Sequence, residues 1–216
     1  MSSAHGAGAQ EAPADYSLWG IVLANGLVLA LALLLSWPLS VLLWPYWAQS
    51  VIIGLFNVRR MLALDRFTTD GLRINDRVVQ PTTGTKWQVA SFFLLHYGFF
   101  HFGYLMFLLL KAPLPQAEQG WVLLLAVVFA ASHALSHLEH LRHDLAGGTN
   151  LGTLMFVPYL RIIPMHFTII LGMGFLQGST LALWLFVALK TAADLAMHKA
   201  EHHLMRQSSA APQRGG

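Results

Sequence analysis

The chain has 216 residues, 56% of them apolar and only 11% charged, with a mean hydropathy of +0.55. A soluble domain carries about a quarter charged residues, so this composition excludes a disordered chain, a soluble nucleic-acid binder and a small secreted scaffold. Cysteine is absent, which removes thiolate metal sites, iron–sulfur clusters, thiol nucleophiles and disulfides. The net charge of +3 is read as basic loop residues that orient a membrane protein, and no nucleic-acid partner is expected.

A helix needs roughly 20 mostly apolar residues to cross the hydrocarbon core. Six segments qualify as expected spans: Leu18–Leu35, Pro45–Leu64, Trp87–Leu110, Gly120–Leu141, Leu151–Phe175 and Ser179–Lys199. The fold class is therefore an all-α polytopic bundle of six transmembrane helices over 18–203, with flexible tails at 1–17 and 204–216. Asn25 is the only strongly polar residue of the first span. The second is placed from Pro45, since proline suits a first helical position, which leaves Val41–Trp44 in the interface. Pro158 and Pro164 predict a kink in the fifth. Trp37, Trp44, Trp87 and Trp121 fall at span ends, as an interfacial aromatic belt would. The N-terminal tail has no Lys or Arg before the first span, so no signal peptide is expected.

The cytoplasmic loop expected at 65–86 carries Leu72 and Ile74 in alternation before Asn75-Asp76, then Val78-Val79, a pattern compatible with a short hairpin. Arg59, Arg60, Arg66, Arg73, Arg77, Lys86, Arg142, Lys199, Arg206 and Arg214 lie on or near one face, and only Lys111 on the other. The positive-inside rule makes the basic face cytoplasmic and puts both termini there, in a bacterial inner membrane.

Histidine is abundant, at 11 of 216, and only His5 lies in the N-terminal tail. The remaining ten all fall on the cytoplasmic half of the expected bundle. His133, His137 and His140 occupy roughly a 60° stripe of the fourth span. An i, i+4 pair such as His133 and His137 can hold one ion, as in helical zinc motifs. Lys190, Asp194 and His198 follow at steps of four on the last span. An ionisable group at mid-span is a functional candidate by default. The expected metal ligands are His96, His133, His137, His166, His198 and Asp194, with Asp194 and Lys190 as candidate catalytic groups. His101, His140, Tyr159, Arg161 and Asn57 are expected to orient these ligands or to serve structure; for His101 a hydrogen-bonding and a ligand role stand at even odds.

Four stretches, YWAQSVIIGLFN (46–57), HYGFFHFGY (96–104), PYLRIIPMHFTIILG (158–172) and LKTAADLAMH (189–198), resemble a bacterial family of uncharacterised polytopic membrane proteins. That resemblance implies the span assignment and no activity. The histidine spacing also looks like the boxes of membrane di-iron desaturases and hydroxylases: HKAEHH (198–203), HALSH (133–137) and HYGFFH (96–101), of which only the first has the doubled histidine. It implies an iron-dependent oxidoreductase acting on a lipid-soluble substrate in the bilayer. Imidazole suits zinc and haem iron as well. A zinc-dependent hydrolase, a b-type haem protein, a metal or proton transporter and a non-enzymatic assembly subunit therefore stand beside that reading. The sequence leaves the oligomeric state open.

Overall fold

The structure is a computed structural model, and it describes residues 14–124, 126–131, 134, 148–173 and 179–210. The fold is all-α with two minimal strand pairs. Four helices are long and apolar enough to cross a membrane: Ser40–Ala63 (α2), Thr83–Lys111 (α3), Leu151–Leu171 (α5) and Thr180–Ala200, the latter within the last helix, Thr180–Ala210 (α6). Two shorter apolar helices stand at the expected first and fourth spans: Leu18–Leu34, within Ala14–Leu34 (α1), and Gln116–Ala131 (α4).

Each long helix turns one stripe inward. On α3 the buried residues Val89, Phe93, Tyr97, His101, Tyr104 and Leu108 recur at steps of three and four, the signature of one helix face. On α1 only Asn25, Leu29 and Ala32 are buried among the described residues, while Leu23, Leu27 and Leu34 are exposed. Seating one narrow stripe and exposing the other apolar faces is the arrangement lipid tolerates, because lipid tails solvate Leu as well as a neighbouring helix does.

Side-chain contacts fix the helix directions. Trp47 Nε1 donates to the carbonyl of His101 at 2.9 Å and Tyr97 Oη to that of Ser50 at 3.0 Å, so α2 and α3 are antiparallel. Contacts of Asn57 with Leu154 and of Tyr46 with Arg161 make α2 and α5 antiparallel as well. The pairs His96–Tyr159 and Tyr104–His166 make α3 and α5 parallel. A short parallel pairing of Phe67–Thr68 (β1) with Thr149–Asn150 (β4) joins the chain before α3 to the chain before α5. Asn150 completes this junction: its Oδ1 caps α5 by accepting from Thr153 N, and its Nδ2 donates to the Asp70 carbonyl.

The hairpin is present, with Arg73–Ile74 (β2) paired antiparallel to Arg77–Val78 (β3). Asn75 and Asp76 both take positive φ, 49° and 61°, as a two-residue turn of this hand requires. The β1–β4 pairing was not expected from the sequence, because two-residue strands leave no periodicity to read.

Three expectations need correction. Helix α2 begins at Ser40, not Pro45, and Val41–Leu43 are buried helical residues instead of interfacial ones. Their burial outweighs the proline, whose missing N–H falls near the start of the helix. Helix α3 begins at Thr83, four residues before Trp87, because Thr82 Oγ1 accepts from Thr85 N and caps it. Finally, α5 changes hydrogen-bond pattern instead of simply kinking. It is α-helical to Phe156, 3₁₀ over Val157–Arg161, α over Ile162–Phe167 and π-helical over Thr168–Met173. Pro158 cannot donate to the carbonyl of Leu154, and Asn57 Nδ2 takes that role at 2.9 Å.

Gly54 of α2 lies against the Tyr97 ring of α3. A Cβ there would lie 2.5 Å from Tyr97 Cε1. Gly54→Ala should lower stability by about 1–2 kcal/mol through overpacking; a thermal melt in detergent checks it, and unchanged stability would mean that the two helices sit further apart.

Candidate functional site

Polar residues from four helices converge where each helix is half-way along. Arg161 lies ten residues from either end of α5's Leu151–Leu171, and Lys190 ten from either end of α6's Thr180–Ala200. Asn25 from α1 and Gln49-Ser50 from α2 meet them there. Asp194 is the hub. Lys190 Nζ donates to Asp194 Oδ2 at 2.6 Å, and Arg161 Nη1 to Oδ1 at 3.4 Å. Asn25 bridges the pair, accepting from Lys190 Nζ at 2.7 Å on Oδ1 and donating to Asp194 Oδ2 at 3.3 Å through Nδ2. Local geometry explains the Lys190–Asp194 contact, since side chains four apart on a helix are neighbours.

Arg161 ties the centre to α2. Its Nη2 donates to Gln49 Oε1 at 3.2 Å and its Nε to Ser50 Oγ at 3.4 Å, and its carbonyl accepts from Tyr46 Oη at 3.2 Å. The Tyr46 ring lies 4.9 Å from the Arg161 Cζ and 5.7 Å from the Lys190 Nζ, so one aromatic face serves two cations. Side-chain exposure is 7% for Arg161, 21% for Lys190 and 14% for Asp194. In such surroundings a charge is held only by partners and hydrogen bonds. Among the described residues the centre holds two formal cations and one carboxylate.

Of the expected histidine ligands, the structure describes His96, His166 and His198. His96 shares a hydrogen bond with Tyr159 Oη at 2.9 Å, and His166 Nδ1 lies 3.4 Å from Tyr104 Oη. His101 is buried, stacks on Tyr97 with 4.2 Å between ring centroids, and donates from Nδ1 to the Tyr97 carbonyl at 2.9 Å. His198 follows Asp194 by one turn of α6 and is half-buried. Asn57 secures the Leu154 carbonyl, as described above. His133, His137 and His140 lie outside the described residues. Among the described residues no group of three His, Asp or Glu is placed to hold a metal ion. Asp194 already accepts from two cations and an amide.

Sequence reading found Lys190 and Asp194 from their spacing, gave Arg161 only a supporting role, and missed Gln49 and Ser50. The available signal was polarity at the centre of an apolar segment. It was noticed at Asn25 and passed over at Gln49-Ser50.

Residues 7–211 match a family of unknown function (DUF6498), and the chain belongs to that family. No curated protein and no solved structure matches the chain.

Proposed function

We propose, taking membership of this family of unknown function as the premise, that the protein is a multi-pass membrane protein that moves protons across the bilayer through the Lys190–Asp194–Arg161 centre. The observation that supports this reading is a carboxylate one turn from mid-helix, held between a mid-helix ammonium at 2.6 Å and a mid-helix guanidinium at 3.4 Å, each from an apolar helix. Ionisable groups at this depth are costly and mark ion paths or proton relays. Arg161 stays charged throughout. With Lys190 protonated the centre has a formal charge of +1, and with one proton removed it is neutral. The centre can thus hold and release a proton while Asp194 always faces a cation. His198, one turn further along α6, extends the relay toward the basic face.

Histidine spacing alone supports a metal-dependent oxidoreductase. That reading needs His133 and His137, which lie outside the described residues. Proton flux into proteoliposomes, driven by a potassium diffusion potential and read with a pH-sensitive dye, tests the proposal. Flux should fall about 100-fold in Asp194→Asn, which removes the carboxylate that accepts from the Lys190 ammonium; that is the scale on which a positioned proton-transfer partner acts. Equal flux in parent and variant would overturn the reading.

The arrangement fits six alternating spans with both termini in the cytoplasm. Parallel α3 and α5 require the chain between them to return across the bilayer, and β1–β4 pairs the two starting ends. Reporter fusions at Gly216 and within Pro113–Gln119 should report opposite compartments, cytoplasmic for Gly216. A C-terminal reporter active only outside would reverse the orientation.

A further inference from the structure

We propose that the seam between α1 and α6 is the outer access path to the charge centre, and that Leu29 and Phe186 close it. The proposal rests on the proton-relay reading above and names the route by which water and protons reach that site.

A cavity of about 220 Å³ lies at the ends of these two helices away from the charge centre. Ala32, Ser36 and Trp37 line it from the α1 side, and Ser179, Thr180 and Leu183 from the α6 side. Three hydroxyl groups in its wall suit water or a small hydrophilic solute, and the volume holds several water molecules. The cavity and the centre share helix faces. Ala32 follows Asn25 by seven residues and Leu183 precedes Lys190 by seven, two turns of helix in each case. Asn25 and Lys190 are themselves joined at 2.7 Å, so the two faces meet at the centre.

On α1 and α6 the two turns between, residues 26–31 and 184–189, carry only apolar residues. Leu29, at 9% exposure, follows Asn25 by four residues, and Phe186, at 1%, precedes Lys190 by four. The Phe186 ring packs edge-on against Tyr46, 5.4 Å between centroids, beside the same ring that faces both cations. A hydroxyl-lined cavity, an apolar stretch and a charged centre thus follow one another along one seam. Hydrophobic constrictions of this kind close a path by excluding water.

The chain has no cysteine, so single cysteines report access without background. In lipid nanodiscs, where both faces are open, a charged thiosulfonate reagent should modify Ser179→Cys rapidly and Leu29→Cys about 100-fold more slowly. Adding Phe186→Ala should raise the Leu29→Cys rate at least about tenfold. Leu27→Cys, on the exposed lipid side of the same turn, should stay unmodified in both backgrounds. Phe186→Leu provides a milder opening if the alanine variant does not fold. Slow modification at position 179 would overturn the access path. So would a Leu29→Cys rate unchanged by whichever Phe186 variant folds. Because labelling does not depend on flux, a labelling gradient without Asp194-dependent flux would reject the proton reading and leave the path standing.

Discussion

Replacing Asp194 by Asn should destabilise the protein by about 3–5 kcal/mol, because it leaves two buried cations facing each other without their counter-charge. Lys190 and Arg161 both point at the carboxylate, and both lie within 6 Å of the Tyr46 ring. The consequence is an asymmetry. Lys190→Met removes the formal excess cation and leaves Arg161 paired with Asp194, so it should cost less than Asp194→Asn. The double variant Asp194→Asn, Lys190→Met should recover part of the loss, since a single cation then remains. Chemical denaturation in detergent, read as a double-mutant cycle, measures the coupling directly. A double variant no more stable than Asp194→Asn alone would show that the two cations do not share the carboxylate.

The second large effect concerns Pro158. Asn57→Ala should cost about 1–3 kcal/mol, the penalty for a buried carbonyl left without its donor. The carbonyl belongs to Leu154, whose ordinary helical partner would be the N–H of residue 158, absent because that residue is proline. Restoring the N–H with Pro158→Ala should therefore make Asn57 largely dispensable. In that background Asn57→Ala should cost well under half as much, measured by the same denaturation assay. An undiminished cost would mean that Asn57 stabilises something other than this carbonyl.

This pair shows what the sequence could and could not convey. Both prolines were visible as interruptions of the fifth apolar segment. The outcome, a change from α to 3₁₀ to α to π within one span, depends on which neighbour supplies the missing donor. That neighbour is 97 residues earlier in the chain. The long helices were legible because apolar length is a local property, and the hairpin because Asn75-Asp76 suit positive φ.

The charge centre was legible only within one helix. Lys190 and Asp194 sit four apart, so spacing alone brings them together. Arg161 and Asn25 reach them through tertiary packing that no local pattern encodes. The histidine spacing points to a shared site whose central pair, His133 and His137, lies outside the described residues; of the others, His96, His101 and His166 each meet an aromatic or backbone partner. Their neighbours Tyr159, Tyr97 and Tyr104 are equally prominent in the sequence; the hydroxyls of Tyr159 and Tyr104 and the backbone carbonyl of Tyr97 meet the three imidazoles.

The most direct test of the central claim is the reversal potential of the current through the reconstituted protein, measured across a bilayer with unequal pH on the two sides. If protons pass through the Lys190–Asp194–Arg161 centre, the reversal potential should move by about 59 mV per pH unit. It should ignore gradients of potassium, chloride or divalent cations, and Asp194→Asn should carry about 100-fold less of this current. A reversal potential that follows another ion, or an Asp194→Asn current equal to the parent's, would contradict the account.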